Sequence, residues 1–282
     1  AGQPWSGHHI DAAGIHWLDH GGMESVVRGR QPDVFVSLRM LDVMTQPWLR
    51  DCKLRILWNE DLLLQSAPYY GSTWQVDRHA FVSEYHRQQY VRQMPDLGPI
   101  TWATRNPVDI GAVFSAAAGS EKVPGRMIYV SRPERALVHN DRSPLLEVFG
   151  RMRAARPDLT LGVCRYYSMY EGSPGVAEVC ARADALVARA EGVEWLGELN
   201  KRRLYEEMAK AQLVLYPGNA DFAETGCIAA TEAQACGTPM IGTRIGALPE
   251  TLHQGAGRLI RGDNETEEYQ TAFAKAAFSL LD

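Results

Sequence analysis

The sequence has no apolar run approaching the ~20 residues that cross a bilayer as a helix. It also lacks a cysteine pattern. Its five cysteines, Cys52, Cys164, Cys180, Cys227 and Cys236, are odd in number and scattered, with no C-x-x-C pair. That spacing excludes a disulfide framework and a ready-made zinc site, and suits reduced thiols in a cytoplasmic protein. A basic surplus is missing too: 29 Lys and Arg stand against 34 Asp and Glu, a formal charge of −5. A dedicated nucleic-acid binder usually carries the opposite balance, so no nucleic-acid partner is expected. No G-x-S-x-G, Walker loop or G-x-G-x-x-G occurs, which removes the usual hydrolase, kinase and dinucleotide readings. His16 and His20 have the i, i+4 spacing of helical metal ligands, but H-E-x-x-H and a third ligand are absent, so no metal is expected. The chain opens on Ala1 without signal-peptide character, and further segments are expected beyond one or both ends.

What is present is the composition of a globular protein, with 45% hydrophobic and 22% charged residues over 282 positions. At roughly 150 residues per domain, that length suggests two domains. Short apolar runs alternate with helical patterns, the mark of βα units and a parallel sheet. Strands are predicted at Asp33–Leu38, Leu54–Trp58, Ala80–Ser83, Ile100–Ala103, Arg126–Ser131, Leu159–Cys164, Val193–Leu196, Leu213–Tyr216, Pro239–Gly242 and Arg258–Ile260. Amphipathic helices are predicted at Glu84–Met94, Leu145–Ala155, Val176–Ala190 and Arg203–Ala211, and a last one at Glu265–Leu281. The turn- and small-residue stretch from Asn106 to Gly125 suggests a boundary. The expectation is an α/β protein of two Rossmann-like, doubly wound domains facing a cleft, 1–114 and 115–282, with the first apparently incomplete. Ligands of such sheets sit beyond the carboxyl ends of the strands.

The most informative stretch is Tyr216-Pro-Gly-Asn-Ala-Asp-Phe-Ala-Glu-Thr-Gly-Cys-Ile-Ala-Ala-Thr-Glu-Ala-Gln-Ala-Cys-Gly-Thr-Pro239. A buried strand runs into a loop and then a helix, predicted to begin near Thr225 as N-cap and to stop at Gly237 and Pro239. The amides of Gly226, Cys227 and Ile228 would then form an anion site. Glu224 lies just before that helix, and Glu232 follows eight residues later on roughly the same side. A ligand phosphate capping the helix would place other parts of the ligand within reach of both carboxylates. For the bare pair of acids, an exposed surface helix is the plainer account.

Taken with its frame of strand, Glu, small-residue turn, apolar helix and Glu-Ala-x-Ala-x-Gly-x-Pro, this stretch resembles the retaining nucleotide-sugar glycosyltransferases of family 4, which have the GT-B fold. Glu224 and Glu232 match that family's E-x7-E motif. The resemblance implies that Glu224 contacts the donor sugar and Glu232 the nucleotide ribose. Gly226-Cys227 stand where an aromatic-Gly pair is common. Tyr129-Val-Ser-Arg-Pro-Glu-Arg-Ala-Leu137 resembles the family's strand-to-helix turn, so Arg132 and Arg135 are the expected cations of the diphosphate. Two arginines at a strand end would neutralise the charge building on a departing diphosphate. Val193 to Leu199 resembles the segment bordering the base, which brings in Gly197 and Leu199. Gly246-Ala-Leu-Pro-Glu250 resembles a G-G-x-P-E loop and brings in Gly246. Val82–Gln89 and Asn106-Pro-Val-Asp109 resemble the end of the N-terminal domain and the entry to its linker.

Nothing in the N-terminal half replaces the family's first strand and glycine-rich acceptor loop. Glu60, in Leu57-Trp-Asn-Glu-Asp61, stands where the family often has a His directed at the transferred sugar. Glu60, Asp61 and, more weakly, Arg39 are acceptor-side candidates, with capping acids in a βα loop as an equally simple account. Arg151, Arg153 and Arg156 read as a solvated helix face, with peripheral contact at the inner membrane face as the other reading. The expected function is a retaining, hexosyltransferase-like glycosyltransferase. It would move a sugar from a nucleotide-diphosphate sugar to a sugar, lipid-linked or small-molecule acceptor, without metal or cofactor. The rivals are a nucleotide-sugar epimerase of the same fold and a nucleotide- or sugar-binding module derived from a transferase.

Overall fold

The computed structural model describes residues 9–11, 13–17, 20–62, 75–165 and 174–281. The chain divides into two compact units between Arg105 and Asn106. The predicted 114/115 boundary falls inside a helix, Ile110–Ala117, whose Val113 and Ala116 are buried in the core of the second unit. Every predicted strand forms, with ends moving by one or two residues.

The first unit holds a two-stranded hairpin, β1 (His9–Ile10) and β2 (His16–Trp17), and a four-stranded parallel sheet. That sheet consists of β3 (Val34–Leu38), β4 (Leu54–Asn59), β5 (Arg78–Phe81) and β6 (Thr101–Ala103), in chain order. Four strands in sequential order make one half of a doubly wound pattern, and among the described residues the order does not reverse. Its helices are α1 (Met23–Arg30), α2 (Leu41–Met44) and α3 (Glu84–Gln93). Ser83 caps α3 by accepting a bond from the His86 amide. One apolar cluster gathers Val27, Leu41, Met44, Trp48, Leu49 and Leu57, and a second joins Phe81 to Tyr90. Because His16 lies in a strand, its i, i+4 spacing to His20 does not put the two on one helix face. Leu18 and Asp19 between them, and His8, lie outside the described residues.

The second unit carries six parallel strands: β7 (Arg126–Tyr129), β8 (Thr160–Cys164), β9 (Val193–Gly197), β10 (Leu213–Tyr216), β11 (Met240–Thr243) and β12 (Gly257–Ile260). Their order is β12-β11-β10-β7-β8-β9, so the winding reverses between β7 and β10. The central strands are mostly buried, as expected of parallel strands covered on both faces; all four residues of β10 and of β11 are buried. The helices are α4 (Ile110–Ala117), α5 (Pro133–Ala136), α6 (Pro144–Ala155), α7 (Pro174–Arg189), α8 (Lys201–Lys210), α9 (Ile228–Ala235), α10 (Leu248–Thr251) and α11 (Glu267–Leu281). Asp109, Ser143 and Asn200 cap α4, α6 and α8 with side-chain oxygens. Leu145, Phe149 and Met152 of α6, Leu204 and Met208 of α8 and Phe273 of α11 pack into one core with the sheet. The three arginines on and just past α6 are held locally: Arg151 by Gln270, Arg153 by the Leu159 carbonyl and Arg156 by Asp158. Among the described residues no helix is long and apolar enough to cross a membrane.

Candidate active site

In a doubly wound sheet, the loops leaving the two strands on either side of the reversal diverge to opposite faces and open a crevice between them. Here those loops follow Tyr129 and Tyr216, and between them they carry Arg132, Arg135 and Glu224.

The loop after β7 turns at once into α5, with Arg132 as N-cap and Pro133 in its first turn. The Tyr129 hydroxyl donates to the Arg132 carbonyl at 2.7 Å and closes the turn. The Arg132 guanidinium pairs with Glu134 at 3.0 Å. Arg135 donates to the Phe222 carbonyl at 3.1 Å, lies 5.2 Å above the Phe222 ring and comes to 3.7 Å from Glu224 Oε1. Asn219, buried in the loop after β10, donates from its backbone amide and from Nδ2 to the Arg135 carbonyl, and from Nδ2 to that of Glu134 as well. It thereby ties the two loops together.

Glu224 is brought here by its loop rather than by a helix. The helix expected from Thr225 begins three residues later, at Ile228, and Cys227 occupies its N-cap without a side-chain cap bond. The reason lies in partners brought from distant parts of the chain. Asn106 Nδ2 donates to the Gly226 carbonyl at 3.1 Å, and the Glu224 carbonyl accepts the Ala247 amide at 2.8 Å. These bonds hold 224–226 in a bent, non-helical course outside the helical ladder. Of the three amides expected to form an anion site, only that of Ile228 belongs to α9. Cys227 is buried, and burial drives its thiol well above the usual range against the pull of the Ala229 and Ala230 amides. That is an inert thiol, not a nucleophile.

The Glu224 carboxylate accepts a hydrogen bond from the hydroxyl of Tyr216, the last residue of β10. Gly246 presses on its backbone from the other side: at φ +51° a side chain there would run into the Glu224 carbonyl. Gly246, expected to line the donor, thus packs against the residue expected to touch the sugar. Glu232, on α9, is buried among different partners. Its Oε1 accepts from Lys201 Nζ at 2.5 Å and from the Tyr205 hydroxyl at 3.0 Å, both on α8. Burial and the Glu232 carboxylate push the Tyr205 phenol up to about 12. Gly197 ends β9 at φ +75°, a left-handed turn suited to glycine. Leu199 packs half-buried against the core.

In the first unit, Arg39, Glu60 and Asp61 meet at the carboxyl ends of β3 and β4. Arg39 has a left-handed backbone at φ +68° and grips Asp61 through two bonds, of 2.7 and 2.6 Å. The Asp61 carbonyl accepts from His86 Nε2 at 2.8 Å and from the Tyr90 hydroxyl at 2.9 Å. Desolvation raises the Glu60 carboxyl above its usual range, against the pull of Arg39. Sequence reasoning missed Tyr129, Tyr216, Asn219, Lys201 and Tyr205. The only signal was a tyrosine ending an apolar strand, which also reads as core. Among the described residues, no group of three His, Cys, Asp or Glu side chains is arranged to hold a metal.

Residues 134–277 match the family model described as glycosyl transferases group 1, and the chain belongs to that family. It is 28% identical over 209 residues to the alpha-maltose-1-phosphate synthase of Mycolicibacterium smegmatis, covering 71% of this chain and 52% of that protein. It is 31% identical over 134 residues to the D-inositol 3-phosphate glycosyltransferase of Rhodococcus jostii, covering 45% of this chain and 28% of that protein. The chain thus spans about half or less of these curated relatives. Among solved structures it resembles a glycosyltransferase from Rickettsia africae, with a TM-score of 0.64 at 11% identity over 92% of this chain and 70% of that one. It also resembles Anabaena HepE, solved with UDP and glucose, with a TM-score of 0.63 at 14% identity over 92% of this chain and 75% of that one. These likenesses show the fold, which is GT-B.

Proposed function

We propose that this chain is the donor-binding part, with a portion of the acceptor side, of a retaining glycosyltransferase that moves a hexosyl group from a nucleoside-diphosphate sugar to an acceptor hydroxyl. The observation carrying this reading is the approach of Arg135 to 3.7 Å from Glu224 beside the winding reversal of a sheet from a group 1 glycosyl transferase, with Arg132 opening the same turn as Arg135. Arg135 keeps guanidinium donors beyond the one spent on Phe222, and with Arg132 it takes the charge that gathers on the departing diphosphate. Glu224 faces the sugar and favours positive charge developing at its anomeric carbon. Glu232 holds the ribose. The relatives named for phosphorylated sugars and inositol, and the neighbour solved with UDP and glucose, agree with such a donor. Arg39, Glu60 and Asp61 line the acceptor side. The leaving diphosphate takes the acceptor proton, and neither metal nor cofactor is required. A cytoplasmic location suits five cysteines that are all free.

The test is Glu224→Gln, which keeps shape and removes charge. Free nucleotide should bind almost as in the parent, while donor turnover, scored as transfer or as hydrolysis without acceptor, falls at least about 100-fold, the scale of losing one electrostatic stabiliser. Product NMR should show the donor's anomeric configuration retained, and a chelator should leave the rate unchanged. Tight nucleotide binding by the parent with neither transfer nor hydrolysis would favour a binding module instead.

A further inference from the structure

The two strands flanking the winding reversal both end in tyrosine, and both tyrosines are buried, Tyr129 at 0% and Tyr216 at 1% exposure. Their rings lie nearly parallel, with centroids 6.4 Å apart, within the range of a favourable aromatic pair. Each hydroxyl is used, and each points to a different loop. That of Tyr129 donates to the Arg132 carbonyl, and that of Tyr216 donates to the Glu224 carboxylate. The Tyr216 ring is clamped in place: a Cβ at Gly218 would stand 2.9 Å from its Cε1, and the Gly218 amide donates to the Tyr216 carbonyl at 2.8 Å.

Glu224 needs such a hold. It lies four residues ahead of α9, so no helical ladder fixes it, and its cationic neighbour, Arg135, stands at 3.7 Å, beyond hydrogen-bond length. A carboxylate on a loop samples several rotamers unless a fixed donor selects one. A desolvated phenol on the last residue of a central strand is such a donor, and its bond is stronger for being out of water.

We propose that Tyr216 is a positioning residue that aims the Glu224 carboxylate at the donor sugar, and that Tyr129 does the same for the arginine turn. Stacked together, the two tyrosines set one loop against the other. This rests on the donor-site reading above and deepens it. The two hydroxyls divide the labour: one serves the sugar contact, felt in the reaction alone, and the other serves the diphosphate contact, felt in nucleotide binding and in the departure of the diphosphate. Because both phenols are buried, with that of Tyr216 additionally beside Glu224, both hold their protons far above the ordinary range and stay hydrogen-bond donors at every working pH.

The experiment compares Tyr216→Phe and Tyr129→Phe, each losing one oxygen and keeping its ring, in the whole chain with UDP and UDP-glucose as probes. Tyr216→Phe should lower kcat about tenfold and leave the UDP Kd within about twofold, since misaiming one stabiliser costs less than deleting it. Tyr129→Phe should instead weaken UDP about threefold and lower kcat as well, because the turn it holds carries the arginines that take charge from the departing diphosphate. Placed on Glu224→Ala, the Tyr216→Phe loss should vanish, because its effect passes through the carboxylate. A crystal structure of Tyr216→Phe should show that carboxylate turned away from its present place. An equal loss in the Glu224→Ala background, or an unmoved carboxylate, overturns the proposal. If the parent neither binds UDP nor turns over a nucleotide sugar, the transferase reading fails, and the carboxylate position in Tyr216→Phe decides the tyrosine's role alone.

Discussion

Gly246→Ala is the substitution on which the geometry of the site bears most directly. At φ +51° the residue has a left-handed backbone, and an ideal Cβ would lie within 3.0 Å of the backbone N, C and O of Glu224. The left-handed conformation costs a non-glycine residue about 1–2 kcal/mol. Crowding against backbone, which cannot swing aside as a side chain can, adds about 1–3 kcal/mol. The sum centres on about 3.5 kcal/mol, or a urea midpoint lower by about 1.8 M at a slope of about 2 kcal/mol/M. Gly237→Ala is the matched control, because Gly237 is also left-handed, at φ +65°, but a Cβ there meets nothing within 4 Å. It should lose the strain alone, about 1–2 kcal/mol, and leave the site untouched. Relief of the clash at 246 has to come from Glu224, whose carbonyl accepts the Ala247 amide at 2.8 Å, so the carboxylate moves with its backbone. A shift near 1 Å should then cost about 100-fold in kcat while nucleotide affinity stays close to the parent's. Urea unfolding and donor hydrolysis, run side by side on both variants, measure all of this. The reasoning fails if Gly246→Ala is no less stable than Gly237→Ala and turns over normally. If affinity collapses and kcat survives, Gly246 faces the nucleotide directly.

Arg132→Ala and Arg135→Ala should each weaken nucleoside diphosphate about tenfold or more and leave nucleoside affinity nearly unchanged, since a charge-assisted bond contributes about 1.5–3 kcal/mol; equal losses for both ligands would make the arginines structural. Arg135→Ala should also cost more stability, because Arg135 spans Phe222 and Glu224, and calorimetry of the two variants ranks them. Glu232→Ala should weaken ribonucleotides by about tenfold or more and lose that effect with 2′,3′-dideoxy analogues; losses that simply add would break the ribose assignment. His79 is buried, and desolvation lowers its pKa from 6.5 to about 4. The unfolded chain therefore binds the extra proton first: the stability due to neutral His79 is full above about pH 6.5 and falls toward pH 4, by roughly 3 kcal/mol in all. Denaturation of the parent and His79→Leu across that window should show the slope only in the parent.

Periodicity and turn residues were enough to locate the strands and the larger helices, because a buried parallel strand needs a continuous apolar run and a surface helix needs its stripe. Side-chain role was harder to see than backbone form. Tyr129 and Tyr216 end apolar runs and have the pattern of core residues, which by burial they are. Their second use depends on which strands lie side by side, and the order β10-β7 joins segments more than eighty residues apart. The start of α9 was misplaced for a related reason. Thr225 is a sound local N-cap, but the partners that keep 224–226 out of the helix, Asn106 and Ala247, come from distant parts of the chain. The two glutamates of the E-x7-E spacing likewise do not act as one helical face. Glu224 belongs to the reversal between β7 and β10, and Glu232 to the contact of α9 with α8.

That separation bears on how a donor engages the second unit. Lys201, largely exposed, and buried Tyr205 both bond to Oε1 of Glu232, and among the described residues neither of them bonds to Oε2. A ribose hydroxyl can therefore donate to Oε2 without displacing either partner. Glu224 has the opposite arrangement, because its Oε1 takes the Tyr216 hydroxyl and stands near Arg135, the same cation assigned to the diphosphate. A diphosphate drawing Arg135 toward itself would lengthen a contact already at 3.7 Å and would leave the Tyr216 bond intact. Glu224 would then be less neutralised when the diphosphate is bound than before, so its charge would be most available to the sugar once the leaving group is in place. Substitutions at Arg135 should for that reason affect kcat as well as affinity, whereas those at Lys201 should stay confined to binding.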